Sequence, residues 1–198
     1  VAGSVDMVLV HHGYFWKGED MAITGMKARR LKKLMQNDIS LLAYHLPLDA
    51  HAEYGNNIQL AKVLDFEVSG GLDDSVSPIG LVGTLPQPET AGRLLSRISE
   101  KLGRQGLLIG GACKSIHSLA WCTGAAQGYI EKAVARGVDC FISGEISEQT
   151  VHVAREMGIV YMACGHHATE RYGVKALGEH LASHFSLDCQ FVDIDNPV

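Results

Sequence analysis

Short apolar runs alternate with amphipathic stretches along most of the chain, and this alternation predicts strands and helices in turn. Strands are predicted at residues 7–10, 39–44, 107–109, 119–123, 138–143, 159–164 and 191–194. Helices are predicted at residues 21–36, 89–102, 127–136, 147–157 and 168–185, and glycines at 137 and 158 stand where two of them end. This order of elements is typical of α/β proteins whose strands are largely parallel.

One segment departs from the alternation. Residues 69–88 are rich in Gly, Ser and Pro and follow neither the helical nor the strand period, which predicts a linker or an irregular insertion. We therefore divide the chain into a first α/β repeat at residues 1–68, a linker and inserted segment at residues 69–116, and a second α/β repeat at residues 117–198.

The two α/β parts share a sequence pattern. Residues 1–10 match residues 134–143, because each stretch runs from a helix end through a turn into an apolar strand. Such units share patterning anyway, but the match favours a true duplication. The second copy is preceded by a strand and a helix, whereas the first copy starts at once with Val1. We therefore expect that a strand and most of a helix are missing before residue 1.

Composition narrows the class of protein. The chain has 198 residues, of which 46% are hydrophobic and 20% charged, so it can bury a core and is not expected to be disordered. A net charge of −5 disfavours a general nucleic-acid binder, although a local basic patch stays open. The sequence shows neither a long apolar run nor a secretory leader, so we expect a cytoplasmic protein without a membrane partner. Five cysteines without a CxxC pair predict buried free thiols.

Histidine and carboxylate side chains follow three of the predicted strands. They are His11 and His12, then Asp49 beyond a turn stiffened by proline, then His166 and Glu170. Because open α/β sheets collect functional side chains at the carboxyl ends of their strands, these residues are expected to meet. Each cluster alone is explained as readily by a turn or a helix end, but their coincidence favours a metal site.

The donor types constrain the metal. Mixed nitrogen and oxygen ligands suit zinc, manganese, iron, cobalt or nickel better than calcium. Glu170 lies four residues after His166 on a predicted helix, so both side chains share one face, and Glu170 is the best candidate for a carboxylate that bridges two ions. Glu145 occupies the place of His12 in the second repeat, where it either holds a water or substrate donor or caps the next helix.

Two further features remain open in function. Tyr14, Phe15 and Trp16 either pack against the core or stack on a planar base. The stretch of residues 27–33 contains five Lys and Arg side chains. A solvated helix face is the simplest interpretation of these charges, and a phosphate contact or a subunit interface is the alternative.

Three spaced motifs carry a resemblance to a known family. They are HHGYFWKGE at residues 11–19, HLPLDAH at 45–51 and GHHATE at 165–170, with Gly144 and Glu145 as a further match. Together they closely resemble the YbgI-type branch of the Ngg-interacting-factor-like family, often labelled GTP cyclohydrolase I type-two homologues. The resemblance covers nearly the whole chain. It implies two intertwined α/β repeats with mixed sheets, a ring-shaped homohexamer and a dinuclear metal centre.

The resemblance also implies a ligand set. Carried over residue by residue, it makes His11, His12, Asp49, His166 and Glu170 the ligands of two divalent metal ions. The hypothesis that follows is a hydrolase that activates water against a small, nucleotide or heterocyclic, substrate. The alternative is a ring-forming binding or regulatory protein whose metals stabilise the fold or the assembly without turnover. A role on DNA is disfavoured by the acidic balance unless the charge is sharply segregated.

Overall fold

The computed structural model describes residues 5–198, and the chain splits into two compact units, Val1–Pro47 (unit 1) and Leu48–Val198 (unit 2). The first four residues of the predicted repeat lie outside the described residues. The proposed division into repeats at residues 1–68 and 117–198 stays a prediction.

Unit 1 contains one parallel βαβ unit. It consists of β1 (Met7–Val10), α1 (Gly25–Gln36) and β2 (Ser40–Ala43), and the two strands pair in parallel from one end to the other. The helix begins four residues later than predicted. The Asp20 carboxylate accepts a hydrogen bond from the Ala22 N–H at 2.9 Å in a local turn, and Thr24 is extended at the N-cap.

Unit 2 is built on a six-stranded sheet with the strand order β3-β4-β6-β7-β8-β5. The strands are β3 (Glu67–Gly71), β4 (Leu81–Thr90), β5 (Leu107–Ile109), β6 (Ser115–Cys122), β7 (Cys140–Ser143) and β8 (Val160–Ala163). β6, β7 and β8 pair in parallel, whereas β3–β4, β4–β6 and β5–β8 pair in antiparallel fashion. The mixed α/β class is therefore confirmed, with a larger antiparallel share than the alternation of segments predicts.

Helices cover both faces of this sheet. One-turn α2 (Leu46–Asp49) joins the two units along the chain, and unit 2 continues with α3 (Asn56–Leu64), α4 (Ala91–Leu102), α5 (Ile130–Ala135), α6 (Glu148–Met157), α7 (His166–Glu170) and α8 (Tyr172–Phe185). In β7, Ile142 packs in a core with Leu60 of α3 and Leu94 of α4, while Phe141 packs in a second core with Ala154 of α6. Because successive strand residues point to opposite faces and both faces are covered, β7 and β8 are buried along their whole length.

Three further predictions differ from the structure. Residues 69–88, predicted as irregular, contain the ends of β3 and most of β4, whose prolines fall where the pairing with β6 shifts register between Thr84 and Glu89. Residues 191–194 form no strand, and their apolar side chains are exposed. The last predicted helix is divided into α7 and α8, because the Gly173 N–H donates to the Asn56 side chain at 2.8 Å.

The cysteines are all free thiols. Cys122, Cys140 and Cys164 are buried in the strands and loops of unit 2, while Cys113 and Cys189 are exposed. Burial raises the pKa of the Cys164 thiol to about 12. Among the described residues, no helix is both long and apolar enough to cross a membrane.

Candidate metal centre

Unit 1 brings three histidines together at the carboxyl ends of its two strands. His11 and His12 directly follow β1, and His45 follows β2 by two residues. Their ligand nitrogens all lie within 4.8 Å of one another. We call His11, His12 and His45 the histidine set. The two strands are parallel and in register, so their ends place these rings side by side.

The ring of His11 is held by the backbone of the neighbouring strand. Its Nδ1 lies 2.8 Å from the Tyr44 carbonyl oxygen, which accepts a hydrogen bond from it. Metal-binding histidines commonly donate one ring N–H to a carbonyl and bind through the other nitrogen. This bond makes Nε2 the ring nitrogen through which His11 could bind a metal.

Trp16 packs on the histidine set. Its ring centroid lies 5.0 Å from that of His45 and 5.8 Å from that of His12, and its indole N–H donates to the Gly13 carbonyl at 3.2 Å. The tryptophan therefore limits the rotation of two imidazoles, although its side chain keeps a large exposed area. Of the two sequence readings for the aromatic residues, packing is the one that these contacts support for Trp16.

Unit 2 brings together a second group of donors, the acidic set, which consists of Asp49, Glu145, His166 and Glu170. His166 Nε2 lies 2.8 Å from the Glu170 carboxylate, one helical turn later in α7. His166 Nδ1 lies 2.7 Å from the Glu145 carboxylate, which follows β7. The predicted shared face of His166 and Glu170 is confirmed, and Glu145 contacts His166 rather than capping the next helix, where Ser147 is the N-cap.

Asp49 joins the acidic set through buried contacts. It is buried at the end of α2, and its carboxylate lies within 4.8 Å of that of Glu170. The Asn56 side-chain Nδ2 donates to Asp49 Oδ1 at 2.8 Å, and the Asn56 side-chain Oδ1 accepts from the Gly173 N–H. Asn56 thus ties the carboxylate of Asp49 to the start of α8, directly after the helix that carries Glu170.

A glycine permits the position of Glu170. Gly124 follows β6 with φ +67°, and a Cβ atom there would lie 2.2 Å from Glu170 Oε1. Its N–H donates to the Thr169 hydroxyl at 3.1 Å, so the loop after β6 is held against α7. Any side chain at this position would therefore require the Glu170 carboxylate to move, and it would also adopt an unfavourable left-handed backbone conformation.

The electrostatics of the acidic set favour a bound cation. The hydrogen bond that His166 donates to the Glu170 carboxylate raises the pKa of His166 to about 9, a shift that burial opposes and that Glu145 reinforces. In the metal-free protein a proton on His166 therefore compensates the carboxylates. A divalent ion supplies the same positive charge, so the donors fit a metal that prefers imidazole and carboxylate ligands.

Each unit thus assembles part of the predicted ligand set. His11 and His12 lie together in unit 1, and Asp49, His166 and Glu170 lie together in unit 2. Sequence reasoning left His45 as one further imidazole among several and did not identify Asn56 or Gly124. His45 could have been identified from its position just after a predicted strand, which it shares with His11. His51, in the same motif, accepts from the Glu53 and Tyr54 N–H groups and stabilises a turn.

Comparisons with known proteins agree with these motifs. The family described as Duf34/NIF3 (NGG1p interacting factor 3) matches residues 1–197. A Pseudomonas aeruginosa protein named GTP cyclohydrolase 1 type 2 homolog is 55% identical over 198 residues, which cover 100% of this chain and 78% of that protein. The solved structure of a protein named ybgI, of unknown function, is 49% identical, with a TM-score of 0.92 over 98% of this chain and 77% of that one. A Thermus thermophilus structure is 32% identical, with a TM-score of 0.84 and the same coverage.

Proposed function

We propose that this chain, which belongs to the Duf34/NIF3 (NGG1p interacting factor 3) family, is a metal-dependent hydrolase that acts on a small substrate. Two divalent ions would be bound by His11, His12, Asp49, His166 and Glu170. Zinc, manganese, iron, cobalt and nickel all suit this donor set.

The observation that carries the proposal is the acidic set. The carboxylates of Asp49 and Glu170 are buried and lie within 4.8 Å of each other, and the half-buried imidazole of His166 lies 2.8 Å from the carboxylate of Glu170. Buried carboxylates are rarely placed together without a compensating cation. Divalent ions in such a site supply Lewis acidity and activate water for hydrolysis. We assign Glu170 the bridging position because it lies close to both His166 and Asp49.

The other residues of unit 2 orient these donors. The Glu145 carboxylate accepts a hydrogen bond from the Nδ1–H of His166. This bond leaves Nε2 as the ligand nitrogen and increases its basicity. The Asn56 amide donates to Oδ1 of Asp49 and so holds this carboxylate in place. Glu145 is therefore a positioning residue in this proposal rather than a general acid or base.

The substrate class and the assembly belong to the same proposal. Relatives carry the name GTP cyclohydrolase 1 type 2 homolog, so GTP and related cyclic amides are the first compounds to test. We further propose a homohexameric ring, as the sequence resemblance implies, and native mass spectrometry tests it directly. A mass of six chains supports the ring, and a stable monomer overturns it.

The decisive experiment compares Glu170→Ala with Glu179→Ala, an exposed glutamate of α8. Metal content is measured by elemental analysis, and hydrolysis is screened on nucleotides and cyclic amides. We expect about two metal equivalents per chain in the parent and in Glu179→Ala, and loss of metal together with hydrolysis in Glu170→Ala. Full metal content in Glu170→Ala would remove this residue as a bridge.

The same experiment distinguishes the hydrolase from the alternative, a binding or regulatory protein. If the parent chain holds its metals but hydrolyses none of the screened compounds, the ions serve the fold or the assembly. In that case chelation should lower the midpoint of thermal unfolding or dissociate the oligomer. A chelated protein that keeps both its stability and its mass would contradict the regulatory alternative.

A further inference from the structure

Helix α1 differs in charge from every other helix of the described chain. Its twelve residues include five Lys and Arg and no Asp or Glu. Arg29 and Lys33 are spaced four residues apart, and Arg30 and Lys33 three apart, so like charges are neighbours on the helix surface. Such pairs destabilise a helix unless an anion compensates them.

The charge is segregated between the two units. Unit 1 contains six Lys and Arg against four Asp and Glu, a balance of +2, although the whole chain carries −5. Unit 2 therefore holds 11 basic against 18 acidic residues, a balance of −7. The acidic composition of the chain thus conceals a basic surface, which is the segregation that binding to a phosphate backbone requires.

The basic side chains of α1 lie on its solvent side. Arg29, Arg30 and Lys33 are exposed, and helical spacing places Arg29 and Lys33 on the side opposite Leu31, the buried residue of the helix, with Arg30 at the flank. Lys27 forms an ion pair with Glu19 at 2.7 Å, and it is the only one of the five cations for which the described residues show such a pair.

Aromatic rings adjoin these cations. Lys27 Nζ lies 4.5 Å from the centre of the Phe15 ring, and the Arg30 guanidinium lies 5.8 Å from that of Tyr14. Phe15 is 69% exposed, more than Trp16 at 44%. Proteins that bind single-stranded nucleic acid combine a basic track for phosphates with exposed rings on which bases stack.

We propose that the surface of Phe15, Arg29, Arg30 and Lys33, the α1 surface, binds single-stranded nucleic acid. The cations contact successive phosphates and Phe15 stacks on a base. The site lies within unit 1, and its binding does not require the metal ions.

Insertion into a lipid surface fits the α1 surface less well. A membrane-binding helix presents one continuous apolar stripe beside its basic face. The exposed apolar residues of α1 are Met26 and Met35, and helical spacing places them on opposite sides of the helix. Isolated methionines on two sides provide no stripe that could enter a bilayer.

The test measures fluorescence anisotropy of a labelled oligothymidylate on the full chain, in chelator and over a range of salt. The triple variant Arg29→Gln, Arg30→Gln, Lys33→Gln is compared with the triple variant Arg93→Gln, Arg155→Gln, Lys175→Gln. Both variants lose the same charge, but the second loses it from exposed positions of unit 2. Circular dichroism confirms that both fold.

We expect salt-sensitive binding by the parent chain and the unit 2 variant. The α1 variant should bind about tenfold more weakly, with a salt dependence lower by about two ions, because each phosphate contact on a single strand releases about 0.7 ion. Equal weakening in both variants would mean a general charge effect and would overturn the proposal, as would absence of salt-sensitive binding by the parent.

Stacking is tested separately. Phe15→Leu should weaken oligonucleotide binding about fivefold, whereas Phe185→Leu, at an exposed ring of α8, should not. Equal affinity for duplex and single strand would overturn the stacking part of the proposal. Binding to anionic phospholipid vesicles without binding to the oligonucleotide would replace the proposed partner by a lipid surface.

Discussion

The histidine set of unit 1 and the acidic set of unit 2 are stabilised in different ways. The acidic set is surrounded by buried or half-buried hydrogen bonds, such as those of Asn56 and Glu145. In the histidine set, His11 has a hydrogen bond to the Tyr44 carbonyl, but the imidazoles otherwise lie against one another and against Trp16, with centroid distances between 4.7 and 5.8 Å. Hydrogen bonds fix an atom in position, whereas ring contacts leave more freedom to rotate.

This difference indicates in which of the two sets metal affinity is coupled to the stability of the fold. A change beside the acidic set leaves buried polar groups unsatisfied, so it should alter both the fold and metal binding. A change in the half-exposed part of the histidine set should alter metal binding alone. Three predictions examine this contrast.

The largest effect is expected from Gly124→Ala. The new Cβ would collide with Glu170 Oε1, and alanine disfavours φ +67°. We expect a loss of about 2–4 kcal/mol in the free energy of unfolding and a fall in metal affinity of about 100-fold. Urea unfolding and competition with a metal-binding dye measure the two quantities.

Gly128→Ala is the matched control, since a Cβ at that position meets no atom within 4 Å. It should leave both quantities nearly unchanged. A Gly124→Ala protein with the metal affinity of the parent would show that Glu170 tolerates displacement, and the contrast between the two sets would fail.

A smaller effect is expected from pH in the metal-free protein. The raised pKa of His166 means that its protonated form stabilises the fold fully below the ordinary value of 6.5, and that this contribution is lost as the pH rises through about 9. Urea unfolding in chelator should therefore show a loss on the order of 2 kcal/mol between these limits. Glu145→Gln removes one partner of the imidazolium and should reduce the loss. A loss that is the same in His166→Gln would assign it to other groups.

The smallest effect is expected from His45→Ala. The imidazole is half-buried and lies on a loop, so its removal should change the free energy of unfolding by less than about 0.5 kcal/mol. Metal affinity should fall by about tenfold if His45 supports the histidine set.

His51→Ala provides the opposite pattern. It removes the acceptor for two backbone N–H groups, so it should cost about 1 kcal/mol of stability and leave the metal content intact. Should both variants lose stability and metal together, the histidine set would be as tightly coupled to the fold as the acidic set.

The sequence predicted both strands of unit 1 and two central strands of the sheet of unit 2. β1, β2, β7 and β8 are apolar runs bounded by polar residues, and His11, His12, Glu145 and His166 follow three of them as expected. Helix α6 was predicted at residues 147–157 with Gly158 at its end, and it forms between Ser147 at the N-cap and Gly158 at the C-cap. Local chemistry therefore sufficed for the positions that end strands and helices.

Long-range contacts determined the parts that the sequence did not predict. Helix α3 starts with Asn56 and Asn57, polar residues that are typical of turns but are buried here because they bond to Asp49 and to the Thr123 N–H. The strand pattern of residues 191–194 is not realised, since Asp193 instead binds His167 and Arg171. These contacts join residues that are distant in the chain, so the sequence around each residue does not predict them.

The two exposed cysteines have a practical consequence for mass measurements. In an oxidising buffer, Cys113 and Cys189 can join chains covalently, while the three inner thiols are shielded from reagents. Covalent pairs would then be counted as native assembly. Sizing experiments on this protein therefore need a reductant that does not itself chelate transition metals, or serine at both outer positions.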